Sequence, residues 1–264
     1  MTTSIASRVA LVFFLALLPT VATWAEPLSA AEARALAASP DRADEDREKD
    51  ARRHPAELLV FAGASRGMKA ADLGAGNGYT TELLARAAGP EGSVIGHNTP
   101  TVVEKFVSES WPARLAKPVN SNVTRVDSGY EEPLPEGTSG LDLITMIYVY
   151  HDTLFGGVDR AAMNERLFRA LRPRGALVVV DHFAVEGAGP ESGKTVHRID
   201  EALLRRELEA AGFVLEAKAD FMRNPDDPRT ELFFKMDGPT DSFVHRYVRP
   251  AGLPDAGLAL EPDS

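Results

Sequence analysis

The chain has 264 residues, 44% of them apolar and 26% charged, a balance that suits one soluble α/β domain with terminal extensions. Its formal net charge of −10 argues against non-specific binding to nucleic acid or anionic lipid. With no cysteine, disulfides, thiolate metal sites, cysteine nucleophiles and lipoprotein acylation are excluded.

At the N-terminus, Arg8 precedes an apolar run at residues 9–18, then Pro19 and small residues up to Ala25, the layout of a signal peptide cut near Ala25. That run is well short of the roughly 20 residues a membrane-spanning helix needs. Residues 1–25 are therefore predicted to direct export and be removed, giving a periplasmic or secreted protein without stable membrane insertion. Removal takes away only Arg8, so the mature charge becomes −11. Residues 26–53 are rich in Ala, Asp, Glu and Arg and read as a solvated helical arm whose charges serve solubility.

Pro55 then opens a short helix ended by Gly63, and strand-like and helix-like segments alternate beyond it. Strands are predicted at 69–73, 93–96, 123–126, 141–149 and 176–181, with helices at 80–88 and 101–110 and one capped by Asp159. A last helix is capped by Asp200 and ended by Gly212; a strand at 213–217 and a closing strand at 231–236 follow. The alternation implies a doubly wound, mostly parallel sheet with helices on both faces, a Rossmann-like α/β fold spanning residues 54–249. Residues 250–264, with three prolines, read as a disordered tail.

The sharpest motif is Asp72-Leu73-Gly74-Ala75-Gly76-Asn77-Gly78, where a buried strand turns into a helix. Glycines there admit close ligand approach, and a helix N-terminus offers N–H groups. A dinucleotide fingerprint would place its third glycine where Tyr79 stands, so the spacing argues against NAD or FAD. The carboxylate of Asp72 opposes a pyrophosphate and favours a ligand carrying ammonium or sulfonium charge.

On these residues the sequence resembles the class I S-adenosylmethionine-dependent methyltransferases, whose first motif has an acidic residue followed by alternate glycines. The likeness runs from about His54 to Met236 and includes Leu171-Arg172-Pro173-Arg174-Gly175 and Glu209-Ala210-Ala211-Gly212-Phe213. Export, His197-Arg198-Ile199-Asp200 and Arg223-Asn224-Pro225-Asp226-Asp227 resemble an exported bacterial group of predicted methyltransferases. The resemblance implies S-adenosylmethionine as cofactor, an antiparallel last strand, and methyl transfer to a small-molecule or exported acceptor. It also implies donor contacts from Asp72, Gly74, Gly76, Gly78, Asn98 and Asp127. Asn98 stands where the family supplies an acidic residue to the ribose, a change from a charge-assisted to a neutral hydrogen bond worth on the order of 1 kcal/mol. Alternatives are a non-catalytic binding protein on the same fold, or another enzyme of the same pocket such as a lyase or aminopropyl transferase.

For chemistry, the loops after the fourth and fifth strands matter most, because ligands in such sheets lie beyond the strands' carboxyl ends. His151, with Asp152 beside it, ranks first as a base or acceptor contact, supported by His182 and His197. The same residues admit a metal site, but a zinc-binding spacing on one helix is missing and no metal is expected.

Overall fold

A computed structural model describes residues 26–252. Residues 1–25, read from sequence as a signal peptide, and the tail beyond residue 252 lie outside the described residues. No described helix is long and apolar enough to cross a membrane.

The chain begins with α1 (Ala30–Ala37), α2 (Asp44–Arg53) and α3 (Pro55–Ala62). Ser29 and Glu32 close a reciprocal cap on α1, and Gly63 ends α3 in the left-handed region. Then come β1 (Lys69–Leu73), α4 (Tyr79–Ala88), β2 (Ser93–Asn98), α5 (Pro100–Phe106), α6 (Ser110–Leu115) and β3 (Val123–Asp127). The second half comprises β4 (Leu141–Ile147), α7 (Arg160–Ala170), β5 (Leu171–His182), α8 (Glu191–Val196), α9 (Glu201–Ala210), β6 (Val214–Ala219) and β7 (Ser242–Val248). Asp159 and Asp200 cap α7 and α9 through their side chains, as the sequence predicts.

The seven strands form one sheet in the order β3-β2-β1-β4-β5-β7-β6. The strands β1 to β5 run parallel, and β7 inserts antiparallel between β5 and β6. Two apolar clusters cover the two faces, one including Leu58, Leu83 and Val178, the other Ile144, Leu167 and Leu204. The strand order reverses between β1 and β4, so a crevice opens at their carboxyl ends.

Three expectations need correction. Residues 231–236 are not the closing strand; they hold a short 3-10 turn at Phe233–Lys235. The closing strand is β7, where buried His245 meets Glu201 at 3.2 Å and Arg246 pairs with Glu216. Polar residues satisfied by neighbours hid a central strand from its hydrophobic pattern. The helix predicted at 101–110 is two pieces, α5 and α6. The arm is helical but not merely solvated. Ala33 is fully buried, and Asp46 on α2 meets the buried Arg114 on α6 at 2.5 Å. Arg114 also binds Glu82 at 2.8 Å, Arg86 joins Asp41 to Glu82, and Tyr79 donates to Asp50 at 2.6 Å. The arm's charges lock it onto α4.

Candidate active site

After β1 the backbone turns through Gly74, Gly76 and Gly78, all with positive φ, at 69°, 57° and 84°. The three glycines serve different ends. A Cβ on Gly74 would lie 2.3 Å from a methyl of Val149 and 2.9 Å from the Tyr130 hydroxyl, and one on Gly78 would lie 2.6 Å from the Trp111 ring. Around Gly76 there is nothing within 4 Å, so this glycine leaves the way open to a ligand. The loop is pinned from β2: Gly76 N–H donates to Asn98 Oδ1 at 2.8 Å, Asn98 Nδ2 donates to the Gly76 carbonyl at 2.9 Å, and Ala75 N–H donates to the His97 carbonyl at 2.8 Å. Beneath it the Asp72 carboxylate accepts hydrogen bonds from Thr81 at 2.6 Å and Thr145 at 2.8 Å. Its burial outweighs these two bonds and pushes its pKa up to about 6.

The loop borders a cavity of about 730 Å³, within the range of small-molecule sites. Asp72 and the glycine loop form one wall, Ile147, Tyr148 and His182 the ends of β4 and β5, and the α2–α3 junction and the segment between β6 and β7 the remainder. Although the whole chain is acidic, the cavity is edged by Lys49, Arg52, Arg53 and Arg223. The Arg53 guanidinium lies 5.2 Å from the ring centroids of both Tyr79 and Tyr148 and forms no ion pair with a described residue. Tyr148 takes the left-handed region at φ 59°, a strained place for an aromatic residue, and its ring stacks on His182 at 4.5 Å.

The histidines divide by environment. His182 lines the cavity between Tyr148 and Phe233, with Nδ1 2.7 Å from the Thr240 hydroxyl. Burial pushes its pKa down to about 3 despite the nearby Asp181, so the ring is neutral at physiological pH. His151 is buried behind Phe233 and does not line the cavity. Its Nδ1 lies 2.7 Å from Asp181 Oδ1, and its Nε2 lies 3.2 Å from Asp152. Burial alone would favour the neutral ring, but the Asp181 charge and the two carboxylate hydrogen bonds prevail and push its pKa up to about 10. Burial also works against ionisation of Asp181, yet His151 holds its carboxyl below the ordinary range. The sequence pairs His151 with Asp152; the structure adds Asp181 as the more closely held partner. His197 lies on the far side of His151, with Nδ1 3.8 Å from Asp152.

No protein-family model matches the sequence, and no curated protein matches it. Solved structures do. A S-adenosylmethionine-dependent methyltransferase from Aquifex aeolicus superposes with a TM-score of 0.55 at 19% identity, over 84% of this chain and 98% of its own. An arsenic(III) S-adenosylmethionine methyltransferase from Chlamydomonas reinhardtii gives 0.54 at 20% identity, over 85% of this chain and 74% of its own. The cyclase SpnF gives 0.55 at 17% identity, over 78% and 81%. The chain has the class I methyltransferase fold.

Against that methyltransferase fold, the donor contacts expected from sequence fall into two groups. Asp72, Gly74 and Gly76 border the cavity, whereas Gly78 packs on Trp111. Asn98 and Asp127 do not line it: Asn98 is buried with its amide committed to Gly76, and Asp127 pairs with Arg125 at 2.6 Å. Sequence reasoning missed Arg53 and Phe233, because the arm read as solvent-facing and Phe233 as part of a strand. It also left Arg198 without a role. Buried Arg198 binds Asp227 at 2.8 Å and the Glu231 carbonyl at 2.8 Å, tying down the segment that roofs the cavity. The two sequence segments singled out for resemblance thus meet in one ion pair.

Proposed function

We propose that this chain is a S-adenosylmethionine-dependent methyltransferase acting on an unidentified small-molecule or exported acceptor. The observation that carries the reading is Gly76, a left-handed glycine with open space where its Cβ would be, facing a cavity on the methyltransferase fold. The residues present fit the methionyl half of the donor. Arg53 is placed to hold its carboxylate, Asp72 supplies negative charge toward its ammonium and sulfonium, and Gly76 admits close backbone approach. When bound, the donor supplies an electrophilic methyl group on sulfonium sulfur. His182 stands on the acceptor side; in the tautomer whose Nδ1–H donates to Thr240, its Nε2 is the nitrogen that accepts a hydrogen bond from the acceptor.

Thermal shift tests this reading. S-adenosylhomocysteine should raise the melting temperature of the wild type by mass action. Gly76→Val should remove the shift, and Arg53→Gln, a change at a half-buried side chain that leaves the fold intact, should weaken binding by about 10-fold or more. Methylated product from a panel of acceptors should then appear with wild type and fall with His182→Asn. Failure of both S-adenosylmethionine and S-adenosylhomocysteine to shift the wild type would defeat the proposal.

One observation favours a second reading. Asn98 and Asp127 lie off the cavity, and the Tyr130 hydroxyl sits against Gly74, so the adenosine half of a donor finds fewer of its expected partners. A binding protein without turnover, or a different enzyme of the same pocket, accounts for that. The cyclase of the same fold illustrates that the fold alone does not dictate methyl transfer. Donor binding without product under any acceptor would favour it.

A further inference from the structure

We propose that His151, Asp152 and His197 form a binding site for a divalent transition-metal ion of the zinc class, behind Phe233 and distinct from the glycine-loop cavity. Nε2 of His151 and Oδ1 of Asp152 are 3.2 Å apart, Nδ1 of His197 lies 3.8 Å from Asp152, and the three ligand atoms fall within 4.8 Å of one another. An ion bound at about 2.0–2.1 Å with tetrahedral angles sets its ligands about 3.4 Å apart, so small side-chain adjustments close the set. Two imidazoles and one carboxylate select zinc, cobalt or iron over calcium or magnesium, which prefer oxygen.

Two independent features prepare the site. Asp181 accepts from Nδ1 of His151 at 2.7 Å and is itself held by the backbone N–H groups of His151 and His182 at 2.9 and 2.8 Å. This carboxylate fixes the ring orientation and aims Nε2 toward Asp152 and His197, the outer-sphere arrangement found behind metal-bound histidines. His197 ends α8 in the left-handed region at φ 50°, where glycine is the favoured residue, so a strained backbone is retained to present an imidazole here. Phe155 and Phe234 flank the His197 ring at 4.9 and 5.4 Å and narrow the approach of water, while half-exposed Asp152 leaves a side of the cluster open for a fourth ligand. None of this depends on donor binding at the glycine loop.

The test uses the full chain stripped with a chelator and titrated with Co²⁺ as a spectroscopic probe. The expected result is saturation at one equivalent with visible ligand-field bands, displaced by Zn²⁺. His197→Gly keeps the left-handed backbone without strain and should fold as the wild type by circular dichroism, yet lose about 100-fold or more in affinity. Asp181→Asn should lose about 10- to 100-fold, the range typical of outer-sphere partners. No saturable binding, or wild-type affinity in folded His197→Gly, would overturn the site and identify the cluster as ion-paired histidines only. Either outcome leaves the thermal-shift test of the donor pocket untouched.

Discussion

At Asp72 two hydroxyl hydrogen bonds do not make up for complete burial, and the carboxyl is left with a pKa of about 6 in place of the ordinary 3.8. Between those values the folded chain binds a proton that the unfolded chain has released, so this group's contribution to stability falls as pH rises through that window. Above it the ionised carboxylate is a net cost on the order of 3 kcal/mol, tolerated where it serves a cationic ligand. Asp72→Asn should therefore raise the urea midpoint at neutral pH, flatten stability between about pH 4 and 6, and weaken donor binding. A less stable variant would mean that the charge itself supports the fold. Residue identity made Asp72 legible as a charge beside a loop. Its burial depends on α4 and β4 closing over it, and no sequence pattern states that.

Among the elements, the N-terminal arm departs furthest from its sequence reading. With a chain so charged from residue 41 to 53, solvation is the natural expectation, since long runs of Asp, Glu and Arg rarely enter cores. The structure instead pairs the buried charges, Asp46 with Arg114 of α6 and Arg42 with Asp50 inside the arm. Arg114 further donates to the Asn77 carbonyl at 2.7 Å, linking the arm to the glycine loop. Replacing Arg114 with Leu leaves Asp46 and Glu82 without their shared guanidinium, a loss expected to cost about 3–5 kcal/mol. Urea unfolding measures it, and a cost below about 1 kcal/mol would place the cluster with ordinary surface pairs. Of the strands, β1 and β4 were plain from apolar runs. Strand β7 was not, because His245 and Arg246 interrupt its pattern and are answered only by Glu201 and Glu216 from other elements.

Across the whole molecule, the cavity is covered by two pieces far apart in the chain, the α2–α3 junction and the segment between β6 and β7. The second is anchored by Arg198, whose guanidinium binds Asp227 while its Nε binds the Glu231 carbonyl. Hydrogen exchange should accordingly slow in residues 49–54 and 221–240 together when S-adenosylhomocysteine binds. Arg198→Gln should speed exchange in 221–240 without affecting the sheet; unchanged exchange there would show that packing of Phe233 on His182 holds the roof unaided.

By itself the sequence determined the alternation of strands and helices, the caps at Asp159 and Asp200, and the turn built from Gly74, Gly76 and Gly78. These are local matters of periodicity, capping and backbone sterics, readable within a few residues. Tertiary structure decided which glycine faces a ligand, that Asn98 is spent on the loop, and that His182 rather than His151 borders the cavity. It also brought His197 to His151 and Asp152 across more than 40 residues of chain. A side chain's partners, burial and pKa are set by whichever distant segments fold against it, so residue type and position nominated the chemistry while packing assigned it.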